Sequence, residues 1–398
     1  MSEKLIITRK DDKIITSTFE ENDMVQVFLE KIEAENVLGN IYLGKVKNII
    51  KNINAAFVEV EDGTMCYLPL DYNETPVFVN PKKSAKINVG DTLVVQITKE
   101  NVKTKAPYVT TNFSFTGKYV VLTYGMSKIG VSTKISSQEE RERLKDILST
   151  YKNDHYGLIA RTNCEGALSE WIETEIKLFI ALYENIIEFG IHKSRFSCIY
   201  HAPKGYLCNI RDNISQNLEE IVTDDAEIYK QINEYLNCYQ PEDLKKLRLY
   251  ENTGIHLKNL YGIETKIQKA LQNKVWLKSG GSLVIEPTEA LTVIDVNTGK
   301  AIKGKRNVQE TFRKVNIEAA IEIAKQIRLR NLSGIIIVDF IDMESKENKD
   351  ELLSLFSSIL KKDLVKTVLV DMTPIGLVEI TRKKVRKPLH EQVKNSII

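Results

Sequence analysis

With 398 residues, 42% of them hydrophobic, the chain can bury substantial cores, and its length predicts two or three globular domains. Lysine and arginine number 56 against 54 aspartate and glutamate, so the net charge of +2 excludes a general attraction for polyanions. Any affinity for nucleic acid must come from local patches. No segment has the apolar length of a membrane span, and the N-terminus lacks a signal-peptide core, so we expect a cytoplasmic protein without a membrane span.

The five cysteines and five histidines are scattered along the chain, and no two cysteines form a C-x-x-C pair. We therefore expect neither a disulfide framework nor a cysteine zinc site. Any bound metal must use oxygen ligands, which favour hard cations such as Mg²⁺ or Mn²⁺.

The first part of the chain predicts strands followed by a small barrel. "KLIITRK" and "DKIITSTF" predict strands, whereas "ENDMVQVFLEKIEAE" predicts a short helical run. From Ile41 onward, short β-branched runs separated by turn residues are typical of a barrel.

A hairpin within this predicted barrel pairs two aromatic residues. Residues 61–63 fit a three-residue loop with glycine at the left-handed position, which sets Phe57 opposite Tyr67 on one face. Bases stack on such aromatic platforms, and nearby lysines follow the phosphates. The lysines that could supply this charge are Lys82, Lys83, Lys86, Lys99, Lys103 and Lys105. The alternative is that one aromatic belongs to the core and the lysines are merely solvated.

The middle of the chain contains a candidate anion site. A charged helix, "SSQEERERLKDILST", precedes a strand that leads into a long helix, with Arg161 and Thr162 at the junction. Such a turn offers backbone N–H groups, and an arginine beside it could bind an anion, although many such arginines are structural. Residues 207–270 predict acidic helices, among them "NLEEIVTDDAEIYKQINEYLNCY", without a chemical role.

The C-terminal part alternates strands and helices, which predicts an α/β sheet covered by helices. Asp295 and Asp339 each end an apolar strand, and one helix lies between them. A right-handed β-α-β crossover places both carboxylates at one edge of the sheet, where such folds hold their sites. Two like charges there favour a cation, and Mg²⁺ fits, with Asn297 and Asp342 close by. The alternative is that the aspartates cap the helices that follow.

The segment after Asn297 is basic. Lys303, Lys305 and Arg306 would face a phosphodiester on which the metal acts, because a metal polarises phosphoryl oxygens and lowers the pKa of bound water. A second basic run, residues 382–387, predicts a solvated tail or an RNA contact.

Four stretches, in order along nearly the whole chain, carry a family resemblance. They are the barrel pattern closed by "YLPL", the turn "GLIARTN", and the motifs "EALTVIDVNTG" and "EIAKQIRLRNLSGIIIVDFIDM". In this combination the chain resembles the ribonuclease E/G family of bacterial endoribonucleases. The resemblance implies cleavage of single-stranded, A/U-rich RNA with Mg²⁺, or Mn²⁺ in its place, to give 5′-phosphate and 3′-hydroxyl ends. It also implies a role in mRNA decay and rRNA processing.

The same resemblance implies a multidomain α/β fold. An RNase H-like domain carries an inserted S1-type OB-fold barrel and a 5′-sensor region, and a DNase I-like α/β catalytic subdomain follows. The implied boundaries are 1–35 and 207–270 for the RNase H-like domain, 36–111 for the barrel, 112–206 for the 5′-sensor region and 271–398 for the catalytic subdomain.

Site residues also follow from the resemblance. The metal-binding aspartates match Asp295 and Asp339, and the catalytic asparagine matches Asn297. The RNA-contacting positions of the barrel match Phe57, Tyr67 and Lys105. The pocket for a 5′-monophosphate matches Gly117, Val121, Arg161, Thr162 and Lys366. Well-known members carry arginine at the last position, and because lysine loses the bidentate fork, we expect a retained but weaker preference for 5′-monophosphorylated RNA.

A second departure concerns zinc. Family members commonly carry a cysteine pair after the catalytic subdomain, through which two protomers share a zinc ion, but no cysteine follows Cys238. We therefore expect no zinc site, and any homo-oligomer to form without a zinc link. The expected partner is single-stranded RNA, namely mRNA and rRNA precursors.

Two other classes of function compete with the endoribonuclease. One is a non-catalytic S1-type RNA-binding protein, which the presence of both aspartates and the asparagine argues against. The other is a metal-dependent phosphatase or DNA nuclease. The aromatic pair argues against small substrates, and the choice of RNA over DNA depends on the resemblance alone.

Overall fold

The computed structural model describes residues 2–32, 37–70, 75–82, 84–99, 106–213, 218–252, 254–299, 301 and 308–394. Within these residues the chain is a mixed α/β protein. The strands are β1 (Glu3–Lys10), β2 (Lys13–Glu20), β3 (Asp23–Lys31), β4 (Ile41–Ile50), β5 (Ala55–Glu59), β6 (Met65–Pro69), β7 (Thr92–Lys99), β8 (Tyr108–Thr110), β9 (Ser114–Thr116), β10 (Val120–Tyr124), β11 (Ile129–Val131), β12 (Tyr156–Ala160), β13 (Cys198–Tyr200), β14 (Leu218–Thr223), β15 (Leu247–Leu249), β16 (Lys274–Trp276), β17 (Ser282–Pro287), β18 (Leu291–Asn297), β19 (Gly334–Asp339), β20 (Thr367–Met372) and β21 (Leu377–Arg382). The helices are α1 (Gln138–Ser149), α2 (Ser169–Glu188), α3 (Gly205–Asp212), α4 (Ala226–Tyr239), α5 (Leu257–Leu260), α6 (Ile263–Leu271), α7 (Val308–Leu329), α8 (Lys346–Leu360) and α9 (Leu389–Lys394).

The chain forms two compact units. The first comprises Met1–Glu33, Ser215–Glu234 and Glu242–Ile398, and the second comprises Ala34–Ile214 and Tyr235–Pro241. None of the helices in the described parts of the chain has the length and apolar character needed to cross a membrane. The five cysteines are free.

The first unit contains a five-stranded sheet in the order β15-β14-β1-β2-β3. The helical run predicted at "ENDMVQVFLEKIEAE" is wrong over Asp23–Lys31, which form β3. Glu21, with φ of 54°, turns the chain back, and β3 then pairs antiparallel with β2, burying Val25 and Val27. The charged residues mimicked a helical period, but the cross-strand pairing and the β-branched residues decide the structure. The helix predicted over "NLEEIVTDDAEIYKQINEYLNCY" is wrong in its first part, since residues 218–223 form β14, parallel to β1, and is confirmed in its second part, which is α4.

The first unit also contains a six-stranded sheet in the order β16-β17-β18-β19-β21-β20. Helices α7 and α8 pack on one face, where they share a core with Ile294 and Val338. Helix α7 turns an apolar stripe to this core, because Val315, Ala319, Ile323 and Ile327 are buried and Phe312 packs against them. The opposite face of the sheet carries exposed side chains, including Val293 and Ile335.

The second unit combines a barrel with a smaller sheet. Strands β4-β5-β6-β8-β7 form a continuous sheet that closes through the pairing of β4 with β7. This five-stranded barrel confirms the predicted barrel and is consistent with an OB-like fold. The smaller sheet has the order β11-β12-β10-β9, and α1 and α2 pack against it.

Candidate functional site

Asp295 and Asp339 lie side by side at one edge of the six-stranded sheet. They are direct register partners on the parallel strands β18 and β19, which run about 4.8 Å apart. Asp339 is exposed, but partial desolvation by its neighbours, and then the negative charges of Asp295 and Asp342, raise its pKa above the ordinary value. No lysine or arginine of the described residues forms an ion pair with these carboxylates. The negative charge at this edge is therefore uncompensated by the part of the chain that the structure describes.

Asn297 lies next to the pair and is exposed. Its Nδ2 donates to Oδ2 of Asp295 over 2.7 Å. The chain just after β18 packs closely against the loop that precedes β17. Gly299 has φ of 52°, and a Cβ at this position would overlap the Gly280 carbonyl of that loop. That loop is fixed in turn by Glu318 of α7, which accepts from the N–H of Lys278 at 2.6 Å.

A second contact from α7 fixes the chain after Asp339. Asn316 is fully buried, donates through Nδ2 to the carbonyl of Ile341 at 2.7 Å, and accepts from the N–H of Ile341 at 3.1 Å. Ile341 stands between Asp339 and Asp342. Helix α7 therefore holds the backbone on both sides of the acidic pair, a role that the sequence analysis did not assign to it.

An open cavity of about 440 Å³ adjoins Asp342. Its wall includes Lys346, Lys349 and Asp350 of α8 and the turn at Thr373–Gly376 between β20 and β21. The two lysines lie in this wall beside two aspartates, Asp342 and Asp350, so both signs of charge line the cavity.

The barrel carries the predicted aromatic pair. Phe57 and Tyr67 are cross-strand partners, with ring centroids 6.0 Å apart at an interplanar angle of 82°. Tyr108, which the sequence analysis missed, lies with its ring centroid 4.7 Å from that of Tyr67. The Nζ of Lys99 lies 4.8 Å from the Tyr108 ring. All three rings are half-buried, so the pair extends into a three-ring surface with a cation beside it.

The other lysines predicted near the barrel differ in their surroundings. Lys82 forms an ion pair with Asp91 and lies over the Phe78 ring, so its charge is compensated within the protein. Lys86 is exposed. Lys83, Lys103 and Lys105 lie outside the described residues, as do Lys303, Lys305 and Arg306.

The candidate anion pocket of the second unit is built around Arg161. Its Nη1 donates to the Gly117 carbonyl, and its Nη2 donates to Oδ1 of Asp212 at 2.8 Å. Arg211 donates to both carboxylate oxygens of the same Asp212, at 3.0 and 2.9 Å. Although burial acts to raise the pKa of Asp212, Arg211 and Arg161 lower it below its ordinary value. Arg211 and Asp212 were not predicted.

The remaining pocket residues of this unit lie around the same arginine. The N–H of Arg161 donates to the Tyr119 carbonyl at 2.7 Å, and Oγ1 of Thr162 lies 3.1 Å from Oγ of Ser132. Val121 pairs with Ile159, two residues before Arg161. Lys366 belongs to the first unit, immediately before β20, so its place in the pocket stays a prediction.

A buried carboxylate binds the backbone next to this pocket. Glu175 of α2 is 3% exposed and accepts from the N–H groups of Lys118, Tyr119 and Val120 at 2.7, 2.8 and 2.7 Å. Burial outweighs these hydrogen bonds and raises the pKa of Glu175 to about 7. A Cβ at Gly117 would overlap this carboxyl group, so the close approach of Glu175 requires glycine there whatever the pocket binds.

The basic run at residues 382–387 is not a solvated tail throughout. Arg382 is buried, donates through Nε to Oδ2 of Asp363 at 2.7 Å, and donates through Nη1 to Oδ1 of Asn331 at 2.8 Å. Arg386 lies 4.3 Å from the Phe28 ring. These two arginines have structural contacts, and the prediction of a solvated tail is wrong for them.

These features are typical of a protein that acts on nucleic acid: a barrel with an aromatic surface, an arginine pocket, and an acidic pair at the edge of an α/β sheet. Comparison with known proteins gives the family. The ribonuclease E/G family matches residues 114–385. Ribonuclease G of Haemophilus influenzae is 37% identical over 377 residues, which cover 92% of this chain and 76% of the relative. Ribonuclease G of Escherichia coli K12 is 34% identical over 381 residues, covering 93% and 77%. Ribonuclease E of Nostoc sp. is 32% identical over 404 residues, covering 98% and 57%. The chain belongs to the ribonuclease E/G family, as its motifs predicted.

Proposed function

We propose that this chain hydrolyses single-stranded, A/U-rich RNA at internal positions, with Mg²⁺, to give 5′-phosphate and 3′-hydroxyl ends. Membership of the family supports the general part of this proposal, namely that the chain is an endoribonuclease of the ribonuclease E/G type with a role in RNA processing. The finer parts, namely the metal, the base preference, the ends produced and a role in mRNA decay and rRNA processing, are our proposal. A cytoplasmic location and the domain boundaries given above stay predictions.

The observation that carries the proposal is the pair Asp295 and Asp339, which lie side by side and form no ion pair with a described residue. The described residues contain no group of three or more histidine, cysteine or carboxylate side chains placed to hold a metal, so a cation here depends on two carboxylates and water. Mg²⁺ fits this donor set, since it keeps several waters and binds through one or two carboxylates. A bound Mg²⁺ supplies polarisation of the phosphoryl oxygen and a water of lowered pKa.

The protein groups have separate tasks at this edge. Asp295 and Asp339 fix the position of the cation. Asn297 orients Asp295 through its amide N–H, and we propose that its exposed side chain contacts the scissile phosphate or the attacking water. Helix α7 keeps these groups in place through Glu318 and Asn316, so that little reorganisation is needed on substrate binding.

The barrel and the arginine pocket supply binding. The rings of Phe57 and Tyr67 stack unpaired bases, which a duplex does not offer, and this accounts for single-strand specificity. Lys105 is proposed to contact the RNA backbone beside them. Gly117, Val121, Arg161, Thr162 and Lys366 are proposed to recognise a 5′-monophosphate. A phosphate at Arg161 must compete with Asp212, which argues for a modest rather than an absolute preference.

The test is a gel assay on a 5′-monophosphorylated, A/U-rich single strand beside the same strand in a duplex. We expect internal cuts with Mg²⁺, no cuts with EDTA, and protection of the duplex. The new 5′ ends should accept ligation without prior phosphorylation, which identifies them as phosphates. Binding of the single strand with no cleavage under any divalent cation would instead support a non-catalytic RNA-binding protein.

A further inference from the structure

Trp276 is the most conspicuous side chain near the acidic edge to which no role has been assigned. It lies on the edge strand β16 and is 66% exposed, although burying a tryptophan is favourable. The Nζ of Lys274 lies 4.2 Å from its ring. An exposed indole with a cation beside it has the composition of a base-stacking site.

The sheet register places this side chain on the same face as the acidic pair. Trp276 is opposite Ser282, and Ser282 is opposite Asn297. In the next row of the same face, Lys274 is opposite Val284, Val284 is opposite Asp295, and Asp295 is opposite Asp339. Directly opposed residues project to the same side of a sheet, so Trp276 and Lys274 share the face of the carboxylates.

The core residue between them confirms this orientation. Val275 packs against the cluster beneath the sheet, so its two neighbours project to the other side. The backbone of β16 lies two strand spacings from β18, or about 10 Å. A nucleotide bound next to the scissile phosphate is therefore within reach of the indole.

We propose that Trp276 stacks on an RNA base next to the scissile phosphate and that Lys274 contacts the adjoining backbone phosphate. Trp276 is then a positioning residue that sets the register of the strand over Asp295 and Asp339. The inference rests on the proposed function, because the site of cleavage is that of the acidic pair. It adds a stacking position at the catalytic sheet to the aromatic surface of the barrel.

Tryptophan fluorescence tests this without cleavage, since the chain has only two tryptophans. Trp171→Phe leaves Trp276 as the reporter, and Asp295→Asn in the same protein prevents cutting of a 5′-hydroxyl A/U-rich RNA. We expect the RNA to quench this fluorescence and Trp276→Ala to weaken RNA binding at least about fivefold. Trp276→Phe should largely restore binding. Val368→Ala, an exposed residue at the opposite edge of the same sheet, is the matched control and should bind normally.

The outcomes separate the inference from the function on which it rests. In steady-state cleavage, Trp276→Ala should raise KM far more than it lowers kcat. If the RNA binds the Trp171→Phe, Asp295→Asn protein without quenching Trp276, while the wild type cleaves the RNA, the inference is overturned and the endoribonuclease function stands. Absence of cleavage by the wild type contradicts the proposed function itself. The inference is also overturned if Trp276→Ala changes the mass of the protein in sedimentation and leaves its RNA affinity unchanged. In that case Trp276 lies between two copies of the chain.

Discussion

Glu175 gives the protein a pH-dependent stability that can be calculated from its surroundings. An ordinary glutamate has a pKa of 4.5, whereas burial raises the pKa of Glu175 to about 7 in the folded chain. Between about pH 4.5 and pH 7, Glu175 is therefore protonated in the folded chain and deprotonated in the unfolded chain. The stabilisation is present below about pH 4.5 and is lost as the pH rises through 7. At about 1.4 kcal/mol per tenfold difference in proton affinity, the loss amounts to about 3 kcal/mol.

The substitution Glu175→Gln isolates this effect, because it keeps the volume and removes the titration. At about pH 4 the wild type should be the more stable protein, since glutamine offers one oxygen to three backbone N–H donors. Between about pH 4 and pH 8 the advantage of the wild type should fall by about 3 kcal/mol in denaturant unfolding of the second unit. The control Glu188→Gln removes an exposed carboxylate from the same helix and should change stability by less than about 0.5 kcal/mol at either pH. A stability difference between wild type and Glu175→Gln that stays constant with pH would mean that the pKa of Glu175 is not raised in the folded chain.

Three further substitutions test other parts of the account. Asn316→Ala removes the partner of the partly buried N–H and C=O of Ile341, so denaturant unfolding should show a loss of about 1–3 kcal/mol together with slower cleavage. Ile321→Ala on the exposed side of the same helix should do neither. Tyr108→Ala should weaken single-strand binding by about 1–3 kcal/mol in fluorescence anisotropy and Tyr108→Phe should not; equal affinities would remove Tyr108 from the binding surface. Arg161→Lys keeps the charge but loses the fork, so the ratio of cleavage rates on 5′-monophosphorylated and 5′-hydroxyl RNA should fall towards one, and an unchanged ratio would place 5′ recognition elsewhere.

The acidic pair could be predicted because it follows from topology. Two strands joined by one helix must be parallel when they are adjacent, so the aspartates at their ends meet at one edge. The pairing of Phe57 with Tyr67 followed in the same way from a three-residue loop that fixes the register. In both cases the chain connection between two strands allows few arrangements, so the sequence was sufficient to predict which residues lie opposite each other.

The supporting residues were missed because their burial depends on packing across the chain. Glu175 belongs to the buried stripe of α2, between Ile172 and Ile176, and Asn316 belongs to that of α7. A polar residue on an apolar stripe is the signal that could have found both of them. What such a side chain contacts cannot be read from the periodicity of its own helix. Trp276 was missed for the opposite reason, since in "KVWL" it has the pattern of a core residue and only the sheet shows that it is exposed.

A Mg²⁺ titration of RNA cleavage shows whether Asp295 and Asp339 hold a metal that cleavage requires. The proteins to compare are the wild type, Asp295→Asn, Asp339→Asn and Glu286→Gln, the last being an exposed carboxylate on the neighbouring strand β17. We predict that both aspartate variants fold, bind the RNA and cleave it at least about a hundredfold more slowly, with a higher Mg²⁺ requirement, while Glu286→Gln cleaves at the wild-type rate. If either aspartate variant cleaves at the wild-type rate with the wild-type Mg²⁺ requirement, that aspartate does not hold the metal.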